Sequence, residues 1–129
     1  KILIVEDDLE VLRILNKRFT IDGYHVLTAN SGSDALTLAK VQRPDLLLID
    51  ILLPDIDGAE VVKRLRADTD THPPIPVIFI SGIVTKDEAT KRAEVIVNGQ
   101  TFPAVTKPFS YDELCKKIKT VLRIDPEHS

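Results

Sequence analysis

The chain has 129 residues, of which 43% are hydrophobic and 29% are charged, and its formal net charge is −3. This size and balance predict one globular domain rather than a disordered chain, and no basic excess indicates a surface for nucleic acid or an anionic membrane. The apolar runs are too short to span a bilayer, and a single cysteine, Cys115, excludes an internal disulfide. We therefore expect a cytoplasmic domain that binds neither membranes nor nucleic acid directly.

Five apolar runs have the length and β-branched content of buried strands. They cover residues 2–5, 24–29, 46–49, 77–80 and 102–105. The second run mixes polar with apolar residues more than the others do, and we expect it to form an edge strand.

Segments between and after these runs have apolar residues spaced as on one face of a helix. Gly23 ends the first helix, Pro44 stops the second, and Asn98-Gly99 closes the fourth. In chain order, the residues that define the five helices are Val11, Leu12, Leu15 and Phe19; Ala35, Leu38, Ala39 and Val41; Val61, Val62 and Leu65; Ala89, Ala93, Ile96 and Val97; and Leu114, Ile118, Val121 and Leu122.

Five repeats of strand and helix predict an α/β fold. Right-handed crossovers would then give a doubly wound five-stranded parallel sheet with helices on both faces. Such sheets bind their ligands at the carboxyl ends of the strands.

Polar residues follow four of the predicted strands. Glu6 and Asp7 follow the first strand, Asp50 the third and Ser81 the fourth, and Lys107 follows the fifth. Because parallel strands end at the same edge of a sheet, we expect these side chains to meet there. Carboxylates suit Mg²⁺, and a lysine offsets phosphoryl charge, so the cluster points to phosphoryl transfer, in which a carboxylate can itself be the nucleophile.

Four segments resemble the receiver domain of two-component response regulators. They are KILIVEDD at 1–8, PDLLLIDILLPDIDG at 44–58, PVIFISG at 76–82 and TKPF at 106–109. The resemblance extends over essentially the whole chain. It implies a flavodoxin-like sheet with the strand order 2-1-3-4-5.

The resemblance also implies a set of metal ligands and the extent of the domain. Asp7 and Asp50 would bind Mg²⁺ directly, Glu6 would act through a coordinated water, and the carbonyl of Leu52 would be a further ligand. We expect the receiver domain to occupy residues 1–124. Residues 125–129 would form a C-terminal tail or the start of a linker.

In the same resemblance, Asp50 is the phosphoacceptor. Lys107 would contact Asp50 and the incoming phosphoryl group, and Ser81 would bond to a phosphoryl oxygen. The phosphoryl donor would be a sensor histidine kinase or a histidine phosphotransfer domain, and a homodimer or an output domain would provide further contacts. The domain would catalyse only its own phosphorylation and slow dephosphorylation, so we do not expect an enzyme that acts on a separate metabolite.

The sequence departs from the family pattern before the fifth strand. The family usually has Tyr or Phe three residues before the site lysine, where this chain has Ala104, although Phe102 lies on the same strand parity. The interval between Ser81 and Lys107 is also longer than usual. We therefore expect family-like chemistry with an unusual output surface at residues 82–106.

The sequence leaves three alternative functions open. A degenerate receiver would act only as a protein-interaction module, which the complete set of acids, hydroxyl and lysine disfavours. A phosphohydrolase with an aspartyl nucleophile typically has a second acid two residues later, where Leu52 stands. A flavodoxin-like flavin carrier would need hydroxyls and backbone amides in the first loop, where Glu6, Asp7 and Asp8 stand.

Overall fold

The computed structural model describes residues 1–68, 74–81, 85–86 and 93–122. The predicted tail at 125–129 lies outside these residues. None of the helices described is both long enough and apolar enough to cross a membrane. In chain order the elements are β1 (Ile2–Val5), α1 (Leu9–Ile21), β2 (Val26–Ala29), α2 (Gly32–Gln42), β3 (Leu46–Asp50), α3 (Gly58–Ala67), β4 (Val77–Ser81), β5 (Thr85–Lys86), β6 (Ala93–Val97), β7 (Gln100–Thr106) and α4 (Tyr111–Leu122).

The strands form one sheet in the order β2-β1-β3-β4-β7-β6-β5. Every pair from β2 to β7 is parallel. These five strands confirm the predicted doubly wound order 2-1-3-4-5, with β7 as the fifth parallel strand. Beyond β7, the strands β6 and β5 extend the sheet in antiparallel pairs.

The central strands are buried on both faces, which explains their continuous apolar runs. On one face, Leu3 and Leu47 pack with α2 and α3. On the other face, Ile2 and Leu46 pack with α1 and α4. Since successive side chains of a strand point to opposite faces, each strand contributes to both layers of the core.

The ends of α1 follow from local signals in the sequence. Asp8 is the N-cap, and its carboxylate accepts hydrogen bonds from the amides of Glu10 and Val11. The helix ends at Ile21, and Gly23 then adopts a φ of 97°, a left-handed conformation that glycine tolerates without strain. The predicted stop at Gly23 is therefore confirmed.

The predicted fourth helix is wrong over residues 93–97. Ala93–Val97 is strand β6, which pairs antiparallel with β7, and Ala89 lies outside the described residues. The two residues between the strands, Asn98 and Gly99, have φ angles of 51° and 78°. Positive φ at both positions characterises the type I′ turn, which Asn-Gly favours because it matches the twist of paired strands.

Burial along β6 also has the period of a strand rather than that of a helix. Val97 is 9% exposed, whereas its neighbour Ile96 is 69% exposed. Val95 lies on the same strand face as Val97 and packs against the core. The apolar spacing at 93, 96 and 97 fits a helix as well as a strand. The preference of Asn98-Gly99 for a hairpin turn distinguishes the two.

Replacing Gly99 with alanine is expected to lower the free energy of unfolding by about 1 kcal/mol, because an L-residue resists the left-handed conformation. Within the described residues, no atom outside the turn lies within 4 Å of the added Cβ, so the expected effect is conformational. Urea denaturation measures it. Asn98→Gly is the control and should not destabilise the domain; equal stability of Gly99→Ala and the wild type would contradict the positive φ at Gly99.

Candidate functional site

The carboxyl ends of β1 and β3 bring three carboxylates together. Glu6, Asp7 and Asp50 each offer an oxygen, and these oxygens lie within 4.8 Å of one another. Glu6 and Asp50 are buried, whereas Asp7 is exposed. The structure therefore brings these predicted site residues together at the edge of the sheet.

Lys107, which follows β7, reaches two of the carboxylates. Its Nζ lies 2.7 Å from Oδ2 of Asp50 and 2.9 Å from Oε2 of Glu6. Burial by itself would lower the pKa of Lys107, but the hydrogen bonds and negative charges of Asp50 and Glu6 outweigh burial and raise the pKa. Lys107 is therefore a permanent cation at neutral pH. The Lys107-Pro108 peptide bond is cis.

Glu6 is the most enclosed of the acidic groups. The residue is 0% exposed, and its Oε1 accepts a hydrogen bond of 3.2 Å from the amide of Asp8. Its Oε2 contacts the ammonium of Lys107 but has no well-directed hydrogen bond. Burial raises the pKa of Glu6 to about 7, although the contacts with Lys107 and Asp8 oppose the shift.

The charges of this cluster do not balance among the side chains. If all three carboxylates are ionised, the ammonium of Lys107 offsets one of their charges and two negative charges stay in excess. Carboxylate oxygens at this spacing fit a hard divalent cation, and Oε2 of Glu6 is a buried oxygen with unused acceptor capacity. The site can therefore hold a divalent metal ion through Glu6, Asp7 and Asp50.

Backbone contacts fix the start of the loop that follows β3. Oδ1 of Asp50 accepts a hydrogen bond of 3.0 Å from the amide of Leu52. The amide of Gly58 donates to the carbonyl of Ile51 at 2.8 Å. A Cβ on Gly58 would overlap the carbonyl oxygen of Asp50, so only glycine allows α3 to begin this close to the end of β3.

Asp55 joins this loop to α2, a contact that the sequence does not predict. Its carboxylate accepts hydrogen bonds from the amides of Gly32 and Ser33, at 2.8 and 2.9 Å, and from Oγ of Ser33 at 2.6 Å. These bonds hold the pKa of Asp55 well below its usual range. No local pattern identifies this contact, because it joins residues more than 20 positions apart.

For the two remaining predicted residues, Ser81 and Leu52, the structure does not test the predicted roles. Ser81 is the last residue of β4 and pairs with Thr106, but its side chain lies outside the described part of the structure. The side chain of Leu52 is exposed, and its backbone amide is already bonded to Asp50. The roles of Ser81 as a hydroxyl donor and of the Leu52 carbonyl as a metal ligand stay predictions.

Phe102 and Ala104 lie on the same face of β7, and both are buried. The Phe102 ring packs edge-on against Phe79, with 5.8 Å between ring centroids, and the guanidinium of Arg66 lies 5.2 Å from its centroid. An aromatic side chain therefore occupies the interior two positions before Ala104, and aromatic and cation–π contacts hold it there.

The fold and the site together define a flavodoxin-like α/β protein with a cluster of acidic residues, which could hold a metal ion, at the carboxyl edge of its sheet. The chain matches the response regulator receiver domain family over residues 2–119. Transcriptional regulatory protein KdpE of Staphylococcus aureus is 36% identical over 128 residues, which cover 99% of this chain and 52% of KdpE.

Two solved structures show the same likeness. A putative response regulator from Chloroflexus aurantiacus is 32% identical, with a TM-score of 0.76 over 95% of this chain and 96% of that chain. The receiver domain of sensor histidine kinase PA1611 from Pseudomonas aeruginosa has a magnesium ion in its active site cleft. It has a TM-score of 0.78 at 24% identity over 95% of this chain and 96% of that chain.

This chain belongs to the response regulator receiver domains, the phosphoacceptor signalling domains of two-component systems. It spans about half the length of the curated relatives it matches.

Proposed function

We propose that Asp50 accepts a phosphoryl group in a reaction that depends on Mg²⁺. The observation that carries this proposal is that the buried carboxylate of Asp50 contacts the ammonium of Lys107 and lies within 4.8 Å of carboxylate oxygens of Glu6 and Asp7. The magnesium-bound receiver domain of PA1611 supports the choice of metal. Magnesium also suits an all-oxygen site in which water supplies the remaining ligands.

The residues of the site have different roles in this reaction. A carboxylate oxygen of Asp50 attacks phosphorus as the bond from phosphorus to the donor nitrogen breaks, and the nitrogen keeps that electron pair. Lys107 offsets negative charge on the phosphoryl oxygens, and the amide of Leu52 orients the carboxylate of Asp50. Mg²⁺ held by Glu6, Asp7 and Asp50 would supply further positive charge near the transferring group.

We propose a sensor histidine kinase or a histidine phosphotransfer domain as the donor. A groove of about 490 Å³ runs along α1 to Lys107 and is lined mainly by apolar side chains, including Leu15 and Phe109. Ile14 lines this groove and is 53% exposed, and Leu9 on the same helix is 62% exposed. An exposed apolar surface beside the reactive group suits a helical partner that presents its phosphohistidine to Asp50.

We propose that phosphorylation changes contacts with an output domain or a second copy of the chain. The domain would catalyse only its own phosphorylation and slow dephosphorylation, in the cytoplasm, and it would not turn over a separate metabolite. The added phosphoryl group brings about −1.5 to −2 charge units to a site that already holds three carboxylates. The repulsion between these negative charges favours a rearrangement of the contacts around the site.

Incubation with Mg²⁺ and acetyl phosphate tests the acceptor function. Intact-mass spectrometry should show one added phosphoryl group, which alkali or hydroxylamine removes as expected for an acyl phosphate. A chelator should prevent the addition. A chain that gains no phosphoryl group under these conditions would be a degenerate receiver, and steady turnover of a generic phosphate ester would indicate a phosphohydrolase.

Ile14→Glu is expected to slow phosphoryl transfer from a phosphorylated histidine phosphotransfer domain by about tenfold, which corresponds to about 1.4 kcal/mol of lost contact energy. Labelling by acetyl phosphate, which needs no protein surface, should stay unchanged. Val41→Glu is the matched control, because Val41 is 70% exposed on α2, which packs on the opposite face of the sheet. Equal transfer rates for both variants would show that the partner docks elsewhere.

A further inference from the structure

The loop between β3 and α3, residues 51–57, makes contacts at both ends and in the middle. At its start, the amide of Leu52 binds the carboxylate of Asp50, and at its end the amide of Gly58 binds the carbonyl of Ile51. In the middle, the carboxylate of Asp55 binds the first turn of α2. The contact of Asp55 differs from the other two because it joins the loop to α2, whereas the other two lie within residues 50–58.

The contact at α2 combines hydrogen bonds with close packing. Asp55 accepts three hydrogen bonds of 2.6–2.9 Å, from Gly32 and Ser33. The next loop residue, Ile56, lies so close to Gly32 that a Cβ there would overlap the Ile56 side chain. The loop is therefore seated on the helix N-terminus, where a carboxylate also interacts favourably with the helix dipole.

Asp55 does not belong to the acidic site itself. The cluster of carboxylates that could share a cation consists of Glu6, Asp7 and Asp50. Asp55 is exposed, and its partners are at the start of α2. Asp55 belongs to the same loop as Leu52, whose amide donates a hydrogen bond to the carboxylate of Asp50, so the loop connects Asp55 to the site.

We propose that Asp55 is a positioning residue that holds Leu52 in place and thereby tightens magnesium binding at Asp50. This inference rests on the proposed function, because it concerns the same metal-dependent site. The physical reason is that supporting groups keep metal ligands in productive geometry, so that a loosened support lowers affinity even when every ligand is present.

Two variants separate positioning from simple helix capping. Asp55→Asn keeps the shape of the side chain but loses its charge and places an NH₂ group opposite the donors of Ser33. Ser31→Ala removes the N-cap of the same helix, whose hydroxyl accepts a hydrogen bond from the amide of Asp34. Ser31→Ala therefore weakens α2 at the same end without removing the hydrogen bonds to the loop.

Titration calorimetry with MgCl₂ should show roughly tenfold weaker binding for Asp55→Asn than for the wild type. Ser31→Ala should bind magnesium as tightly as the wild type. In metal-free buffer, hydrogen exchange at the Leu52 amide should be several-fold faster in Asp55→Asn and unchanged in Ser31→Ala. Wild-type affinity and wild-type exchange in Asp55→Asn would overturn the proposal and leave Asp55 as a helix cap.

The exchange measurement keeps the two proposals distinguishable. A wild-type chain that neither binds magnesium nor accepts a phosphoryl group would contradict the proposed function. Exchange at Leu52 needs neither metal nor phosphoryl donor, so it decides in that case whether Asp55 holds the loop.

Discussion

Asp50→Asn is expected to abolish phosphorylation by acetyl phosphate while leaving the domain folded. The amide has nearly the shape of the carboxylate, so the buried position stays filled, but its oxygen is a far poorer nucleophile. Asp50 is 4% exposed and contacts both Lys107 and Leu52, which places it at the centre of the site. Intact-mass spectrometry after incubation with Mg²⁺ and acetyl phosphate measures the loss.

Asp112→Asn is the matched control for this prediction. Asp112 is an exposed carboxylate in the first turn of α4, so its replacement changes the net charge equally without touching the site. This variant should be labelled like the wild type. A labile phosphoryl group on Asp50→Asn would show that another residue is the acceptor, and circular dichroism would verify that both variants are folded.

The stability of the metal-free domain is expected to fall as the pH rises from 5 to 8, because of Glu6. The pKa of its carboxyl group is raised from 4.5 to about 7 in the folded chain. Between these values the folded state binds a proton that the unfolded state has released, so stability decreases with rising pH. The pKa difference corresponds to about 3 kcal/mol, which is present below pH 4.5 and is lost above about pH 7.

Glu6→Gln isolates this contribution, because glutamine has the same size and does not titrate. Urea denaturation in a chelating buffer should show that the wild type loses about 3 kcal/mol relative to Glu6→Gln between pH 5 and pH 8. Glu10→Gln, at an exposed position of α1, should run parallel to the wild type. Parallel curves for Glu6→Gln would mean that Glu6 ionises normally in the folded chain.

Asp55 does not contribute to the change in stability between pH 5 and pH 8. Its pKa is lowered, so the stability it contributes is present above its ordinary pKa and is lost only as the pH falls below that value. The two carboxylates therefore act in opposite directions and in different pH windows. Measurements above pH 5 report mainly on Glu6.

Strands and most helices were predictable because each depends on a short stretch of sequence. The continuous apolar run at residues 46–49 needs burial on both faces, and Asp8 begins α1 by accepting hydrogen bonds from nearby backbone amides. The predicted helix at 93–97 failed because apolar spacing over five residues fits two structures. Asn98-Gly99 also fits the end of a helix, whereas its two positive φ angles form a hairpin turn.

The acidic site was predictable in outline because the topology of a parallel sheet collects strand ends at one edge. The electrostatic properties of the site could not be predicted from the sequence. Whether Glu6 or Asp7 is the enclosed acid depends on how β1 packs, and the structure buries Glu6 while leaving Asp7 exposed. The raised pKa of Glu6 follows from that burial rather than from its place in the sequence.

Residue order and side-chain chemistry were thus sufficient to establish the alternation of strands and helices, the family resemblance and the acids and lysine of the site. Contacts between distant segments determined the antiparallel hairpin at β6 and β7, the contact of buried Glu6 with Lys107 and the hydrogen bonds of Asp55 to α2. The reason is physical: local patterns record preferences of neighbouring residues, whereas burial and long-range hydrogen bonds exist only once the sheet has brought remote parts of the chain together.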